Sequence, residues 1–253
     1  MAEFPTETHE FASFDGTAIS WTEMGEGRPL VLIHGFFSNA FTNWIRYGHA
    51  AVIAARGFRV IMPDLRGHGL SAKPHDRAAY PVDALVRDGF ALVETLGLTD
   101  YDLGGYSLGA RTTAGMLIAG ARPRRAVLAG MGLEGLVEAA RRADHFRFIL
   151  THLGEHPRGS PEWLAESFLK TTKGDAQALL GVLDTFTDVP RDAIALIDTP
   201  TLVVAGDEDG DNGSHESLAA LLPRATLATV PGGHMSAVTR AELGTAIANF
   251  LAA

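Results

Sequence analysis

Tyr101-Asp-Leu-Gly-Gly105-Tyr-Ser107-Leu-Gly109-Ala110 is the stretch whose reading decides the fold of this 253-residue chain. A short, mainly apolar segment ending at Gly105 passes directly into a helix-like run from Leu108 to Ala121. At the junction, Gly105-Tyr106-Ser107-Leu108-Gly109 sets a serine between two glycines. A turn sharp enough to lift a serine hydroxyl above a sheet leaves no room for side chains two residues before and two after it, and glycine meets that demand. In a chain with 28 glycines the pattern also arises by chance, so its neighbours must decide.

On either side lie short β-rich runs; the two before the serine read as buried strands, as expected where both faces of a strand are covered. Pro29-Leu-Val-Leu-Ile-His34 and Phe58 to Pro63 precede the serine, and Arg125 to Gly130, Thr201 to Gly206 and Ala225 to Val230 follow it. Helical spacing separates several of them, from Trp44 to Arg56 and from Val82 to Leu96, where Val82, Leu85, Val86, Phe90 and Val93 mark one face and Gly97 the cap. A closing amphipathic helix runs from about Val238 to Ala252. At the start, Glu10 to Phe14 and Thr17 to Met24 flank Asp15-Gly16, a hairpin turn signal. Alternation of this kind predicts an α/β fold: a mainly parallel, eight-stranded sheet with helices on both faces and ligands beyond the carboxyl ends of the strands. Between Met131 and Ala193 the alternation lapses into charged, helix-forming sequence. The expected organisation is therefore a core of residues 1–130 and 194–253 with a helical cap, 131–193, inserted over the site.

Composition excludes several functions. Thirty acidic against 21 basic residues give a net charge of −9, which disfavours nucleic acid and anionic membrane as partners. There is no cysteine, so disulfides, a thiol nucleophile and thiolate metal sites are excluded. The segment Met1 to Glu10 is acidic and broken by Pro5, unlike a signal peptide, and no apolar stretch approaches the ~18 residues of a membrane span. A cytoplasmic protein is expected; oligomeric state is not legible.

Two further signals lie past the last two strands. Gly206-Asp-Glu-Asp-Gly-Asp-Asn-Gly213 carries three carboxylates of aspartate, and Pro231-Gly-Gly-His234 a histidine. Serine is a weak nucleophile until a base takes its proton, and that base needs an acid to orient it. Serine, acid and histidine at strand ends along one sheet edge answer that need, with Asp207, Asp209 and Asp211 all in reach. Calcium does not suit the aspartate run, because a calcium loop needs glycine sixth and glutamate twelfth, where this chain has Asn212 and Leu218. No metal is expected. Arg66 and Arg111 are candidates for an acidic substrate, although structural ion pairs account for them more simply.

His34-Gly35-Phe36, Asp64-Leu-Arg-Gly-His-Gly-Leu-Ser71, Gly105-Tyr-Ser-Leu-Gly109, Gly206-x-x-Asp209 and Gly233-His234, in this order, make the chain resemble the α/β-hydrolase superfamily over nearly all of its length. The resemblance implies Ser107 as nucleophile, His234 as general base and then acid, and Asp209 as the orienting acid, with Asp207, Asp211 and Glu134 as alternatives for the last. It also implies an oxyanion hole from the backbone N–H groups of Phe36 and Leu108, and no cofactor. His34 and His68 belong to the loops of the resemblance and are expected to hold backbone geometry. The expected reaction is hydrolysis of carboxylic esters of small, largely apolar molecules through an acyl-enzyme. Lactone hydrolysis of the enol-lactone type, carbon–carbon bond hydrolysis and perhydrolysis are open to the same triad. Serine at the elbow, where related dehalogenases and epoxide hydrolases carry aspartate, argues against those two chemistries. Phe37 and Tyr106, with Phe36, Phe41, Trp44 and apolar residues of the insertion, are candidates for the pocket wall. A small-ligand-binding module with a silent triad is the non-enzymatic alternative.

Overall fold

A computed structural model describes residues 4–253; the first three residues of the expected acidic start and of the 1–130 segment lie outside them. Eight strands form one sheet: β1 (Thr6–Ala12), β2 (Ala18–Met24), β3 (Arg28–Ile33), β4 (Phe58–Pro63), β5 (Asp102–Tyr106), β6 (Ala126–Ala129), β7 (Thr201–Gly206) and β8 (Ala225–Val230). Their spatial order is β1-β2-β4-β3-β5-β6-β7-β8. The β1–β2 and β2–β4 pairs are antiparallel and every later pair is parallel. This is the expected mainly parallel sheet. The parallel strands therefore end on one edge, where β3, β5, β7 and β8 release the four loops of interest.

The unbroken apolar runs are explained by two-sided burial. In β3, Leu30 and Leu32 enter one core with Val60 and Met62 of β4, while Val31 and Ile33 enter another with Ile61. The first core is closed by α1 (His49–Ala54) and α11 (Ala241–Ala252) through Ile53, Leu243, Ile247 and Leu251. The second is closed by α2 (Ala84–Thr95) and α3 (Leu108–Ile118) through Leu85, Leu92 and Met116. Between β6 and β7 lie α4 (Leu133–Val137), α5 (Ala139–Thr151), α6 (Pro161–Thr171), α7 (Ala176–Leu183) and α8 (Arg191–Ala195). After β7 comes α9 (His215–Leu221), and after β8 the single turn α10 (His234–Ala237).

Three element boundaries depart from expectation. The first strand starts four residues earlier than the alternation suggested, at Thr6, because Thr6 to Glu10 pair with Met24 to Ser20 of β2. It ends at Ala12 because Ser13 already belongs to the turn: its N–H donates to Thr17 O and its carbonyl accepts from Gly16 N–H. The helix expected from Trp44 to Arg56 is broken. Phe41–Ile45 forms a π-type turn closed by Arg46 N–H to Phe41 O, and Gly48, at φ +80°, starts α1 afresh. The closing helix begins at Ala241 rather than Val238, since the chain first completes α10.

Beneath the β1–β2 turn, the buried guanidinium of Arg66 donates to Asp88 Oδ2 at 2.7 Å and to Asp15 Oδ2 at 2.8 Å. Burial alone raises the pKa of Asp15, but hydrogen bonds and charge from Arg66 outweigh it and lower it to about 2. A depressed carboxylate contributes stability above its unfolded pKa and loses it as the pH falls through the folded value. Because Asp15 is exposed, screening limits the effect. Asp15→Asn is expected to cost about 1 kcal/mol at pH 7, a difference that shrinks between pH 4 and pH 2. Urea melts at several pH values measure it, and an equal cost at both ends of that range would contradict the assignment.

Candidate active site

Ser107 follows β5 directly and occupies φ +54°, a conformation that side chains other than glycine rarely adopt. The surrounding sequence makes that turn possible. A Cβ on Gly105 would overlap the backbone of Gly109, and one on Gly109 would overlap the Ile33 carbonyl of the neighbouring strand. Helix α3 starts at the next residue, so the serine hydroxyl stands at a helix N-terminus above the sheet edge.

His234 and Asp209 reach it from the loops after β8 and β7. His234 Nε2 lies 3.1 Å from Ser107 Oγ, and His234 Nδ1 lies 2.9 Å from Asp209 Oδ2. Burial raises the Asp209 pKa, but the hydrogen bond and charge of His234 outweigh it, holding the carboxyl below its usual range. It is therefore ionised at neutral pH and orients the ring so that Nδ1–H faces the acid and Nε2 faces the serine. The other carboxylates go elsewhere. Asp207 accepts from Gly232 N–H at 2.7 Å, Asp211 pairs with Arg142 at 3.0 Å, and Glu134 accepts from Ser214 N–H at 2.8 Å. The aspartate run thus does not converge on a common point.

Phe36 lies in the loop after β3. Gly35 N–H donates to Asn43 Oδ1 at 2.9 Å, while Gly35 O accepts from Ser38 N–H at 3.2 Å and from His34 Nδ1–H at 2.8 Å. A trans peptide points its N–H opposite its carbonyl, so a carbonyl held on one side aims the Phe36 N–H to the other. Among the described residues neither the Phe36 nor the Leu108 N–H has a protein acceptor. Leu108 opens α3, whose first-turn amides and dipole favour negative charge. His34 also accepts from Leu65 N–H at 3.0 Å through Nε2, and burial pushes its pKa down. His68 is likewise buried, lowered well below its ordinary value by burial first and His34 second.

A cavity of about 140 Å³ opens on Ser107, lined by Phe36, Tyr47, Tyr106, Phe168, Met235 and Val238, with Thr42, Asn43, Ser38 and Thr239 as its polar members. Tyr106, a candidate for the wall, lies in it and also donates its hydroxyl to His234 O at 2.5 Å. Phe37 does not line it. At φ +61° its ring turns away to stack on Phe36 at 4.4 Å and pack against Phe146 of α5 at 5.4 Å. Phe41 is exposed and Trp44 is wholly buried in the core, so neither lines the cavity. Tyr47 and Met235 escaped the sequence reading, and Phe168 was covered only by the general expectation that apolar residues of the insertion join the wall. Met235 follows His234 directly and Tyr47 precedes the Gly48 break, but nothing in the pattern of α6 singles out Phe168.

Arg66 makes the ion pairs expected of it; among the described residues Arg111 makes none. Its guanidinium is buried and donates to Gly135 O at 2.8 Å, and it lies 4.1 Å from the Phe186 ring centroid. Burial, then the charge of Arg142, lowers its pKa to about 9. Near the opposite, N-terminal ends of the strands, Arg28 pairs with Asp102 at 2.8 Å.

A family model described as the alpha/beta hydrolase family matches residues 30–245. The dihydrolipoyllysine-residue acetyltransferase component of the acetoin cleaving system of Pseudomonas putida is 32% identical over 254 residues, 91% of this chain; the chain spans 65% of that protein's length. A non-heme haloperoxidase of Rhodococcus erythropolis is 30% identical, over 86% of this chain and 89% of its own. The crystal structure of a hydrolase from Pseudomonas aeruginosa PA01 superposes with a TM-score of 0.81 at 24% identity, covering 98% of this chain and 99% of that one. No helix among the described residues is long and apolar enough to cross a membrane.

Proposed function

The chain belongs to the alpha/beta hydrolase family, and from that premise we propose that it is a serine hydrolase cleaving carboxylic esters of small, largely apolar substrates. The observation that carries the reading is the hydrogen-bonded series Ser107–His234–Asp209 at 3.1 and 2.9 Å, opening on a cavity. Ser107 attacks the ester carbonyl while His234 Nε2 takes its proton, and Asp209 stabilises the imidazolium formed. The developing oxyanion is held by the Phe36 and Leu108 N–H groups. His234 then protonates the departing alcohol, and a water activated by the same nitrogen releases the acid. No step requires a cofactor. Residues 131–193 act as a cap, with Phe168 of α6 forming part of the pocket.

A cavity of about 140 Å³ with a mainly apolar lining suits a short acyl chain. Across p-nitrophenyl esters of two to twelve carbons, kcat/KM is expected to peak at four carbons or fewer and to fall at least tenfold by eight. A fluorophosphonate probe should label the protein at Ser107; a folded protein that takes no label would favour the silent binding module.

A second reading draws on the relative named as a non-heme haloperoxidase. In it the same acyl-enzyme gives its acyl group to hydrogen peroxide instead of water. Peracid formation from a short carboxylic acid and peroxide, compared with ester hydrolysis on one preparation, separates the two.

A further inference from the structure

Among the described residues, three other than glycine have positive φ: Phe37, Ser107 and Lys173. Ser107 is the elbow. The other two lie close together: Thr172, the residue before Lys173, donates its Oγ1 hydroxyl to Phe37 O at 2.7 Å. Building on the serine-hydrolase reading, we infer that Thr172, the C-terminal cap of α6, is a positioning residue for the oxyanion hole, fixing the Phe36 N–H from the segment above the site.

The Gly35–Ser38 turn is closed by Ser38 N–H to Gly35 O. Its third residue, Phe37, sits at φ +61°, where a turn of type II calls for glycine or asparagine. A phenylalanine there stores strain that surrounding contacts must hold. If Phe37 relaxes to negative φ without a compensating flip of the Phe36–Phe37 peptide, the Ser38–Gly35 bond opens, and the Gly35 carbonyl that aims the Phe36 N–H is left with His34 Nδ1–H as its one remaining anchor. Thr172 opposes that relaxation at the Phe37 carbonyl. Its single hydroxyl proton faces three carbonyls, Phe37 at 2.7 Å, Leu169 at 3.0 Å and Phe168 at 3.4 Å, and Phe37 is the nearest. Lys173, at φ +54°, ends α6 immediately after Thr172, and Gly174 N–H closes back on Leu169 O at 3.0 Å. The hydroxyl is thereby held at the helix end that faces the loop. One turn earlier the same helix presents Phe168 to the cavity at Ser107. Pocket wall and oxyanion loop are thus fixed by one short helix.

The test compares Thr172→Val, which keeps the shape and removes the donor, with Thr172→Ser, which keeps the donor. On a short p-nitrophenyl ester, Thr172→Val is expected to lower kcat about tenfold with KM changed less than twofold. The affinity of an alkyl trifluoromethyl ketone, whose adduct carries the oxyanion, should weaken by the same factor as kcat/KM. Thr172→Ser should stay within threefold of the parent in both. In a Phe37→Gly background, where positive φ is unstrained, Thr172→Val should cost less than twofold. A Thr172→Val protein with parental kcat overturns the inference, as does a tenfold loss equal in both backgrounds. So does a loss carried entirely by KM or by the melting temperature. A parent protein that takes no fluorophosphonate label overturns the serine-hydrolase reading itself, which distinguishes the two failures.

Discussion

Ser107→Ala is expected to leave a folded chain whose ester turnover falls by about 10⁶-fold, toward the residual rate that oxyanion donors and binding alone sustain. In the proposed mechanism the loss is large because every other part of the site acts through this oxygen. His234 has no proton to take, Asp209 no imidazolium to stabilise, and the Phe36 and Leu108 amides no tetrahedral oxyanion to receive. The fold should be spared. Alanine differs only by the hydroxyl, which among the described residues is hydrogen-bonded to His234 alone, and the turn is set by Gly105 and Gly109 rather than by the serine side chain. Steady-state turnover of p-nitrophenyl butyrate, read beside the melting temperature, measures both. Retention of more than about one part in a hundred by a clean preparation would remove Ser107 as the nucleophile.

Asp209→Asn should follow with a loss of about 10⁴ in kcat, the cost in this kind of triad when the base is left in the wrong tautomer. An asparagine can present its NH₂ to His234 Nδ1, which then becomes the acceptor and leaves Nε2 carrying the hydrogen, unable to accept from Ser107. Neighbouring acids provide the contrast. Asp211→Asn loses a surface pair with Arg142, and Asp207→Asn keeps an oxygen for Gly232 N–H; each should remain within about threefold of the parent. If Glu134→Gln abolished turnover while Asp209→Asn kept more than a tenth, the orienting acid would be Glu134.

The central strands were readable because two-sided burial writes itself as unbroken apolar runs, the first pair because Asp15-Gly16 marks a hairpin, and β8, partly or fully exposed along most of its length, because it continues the alternation of strand and helix. The break at Gly48 was not. It depends on whether a glycine enters positive φ, a choice made by the π-type turn before it rather than by helical spacing. Three aspartates alternate along one loop, and no pattern says that Asp207 and Asp211 turn to Gly232 and Arg142 while Asp209 turns to His234. Phe37 looked like a pocket residue because it is aromatic and adjacent to Phe36, but its backbone turns the ring toward Phe146. Contacts between such distant segments leave no periodic trace. The same holds for Arg111, whose partner is a carbonyl and an aromatic ring instead of an acid.

The placement of β7 and β8 last in the chain has a consequence for synthesis. When the serine leaves the ribosome, the acid and the base that would arm it are still untranslated, about a hundred residues behind. A nascent chain therefore carries an inert hydroxyl until the last two parallel strands dock, and docking of distant parallel strands is intrinsically slow. Enzymatic activity should accordingly be the last property to return on refolding, after helical circular dichroism has already recovered.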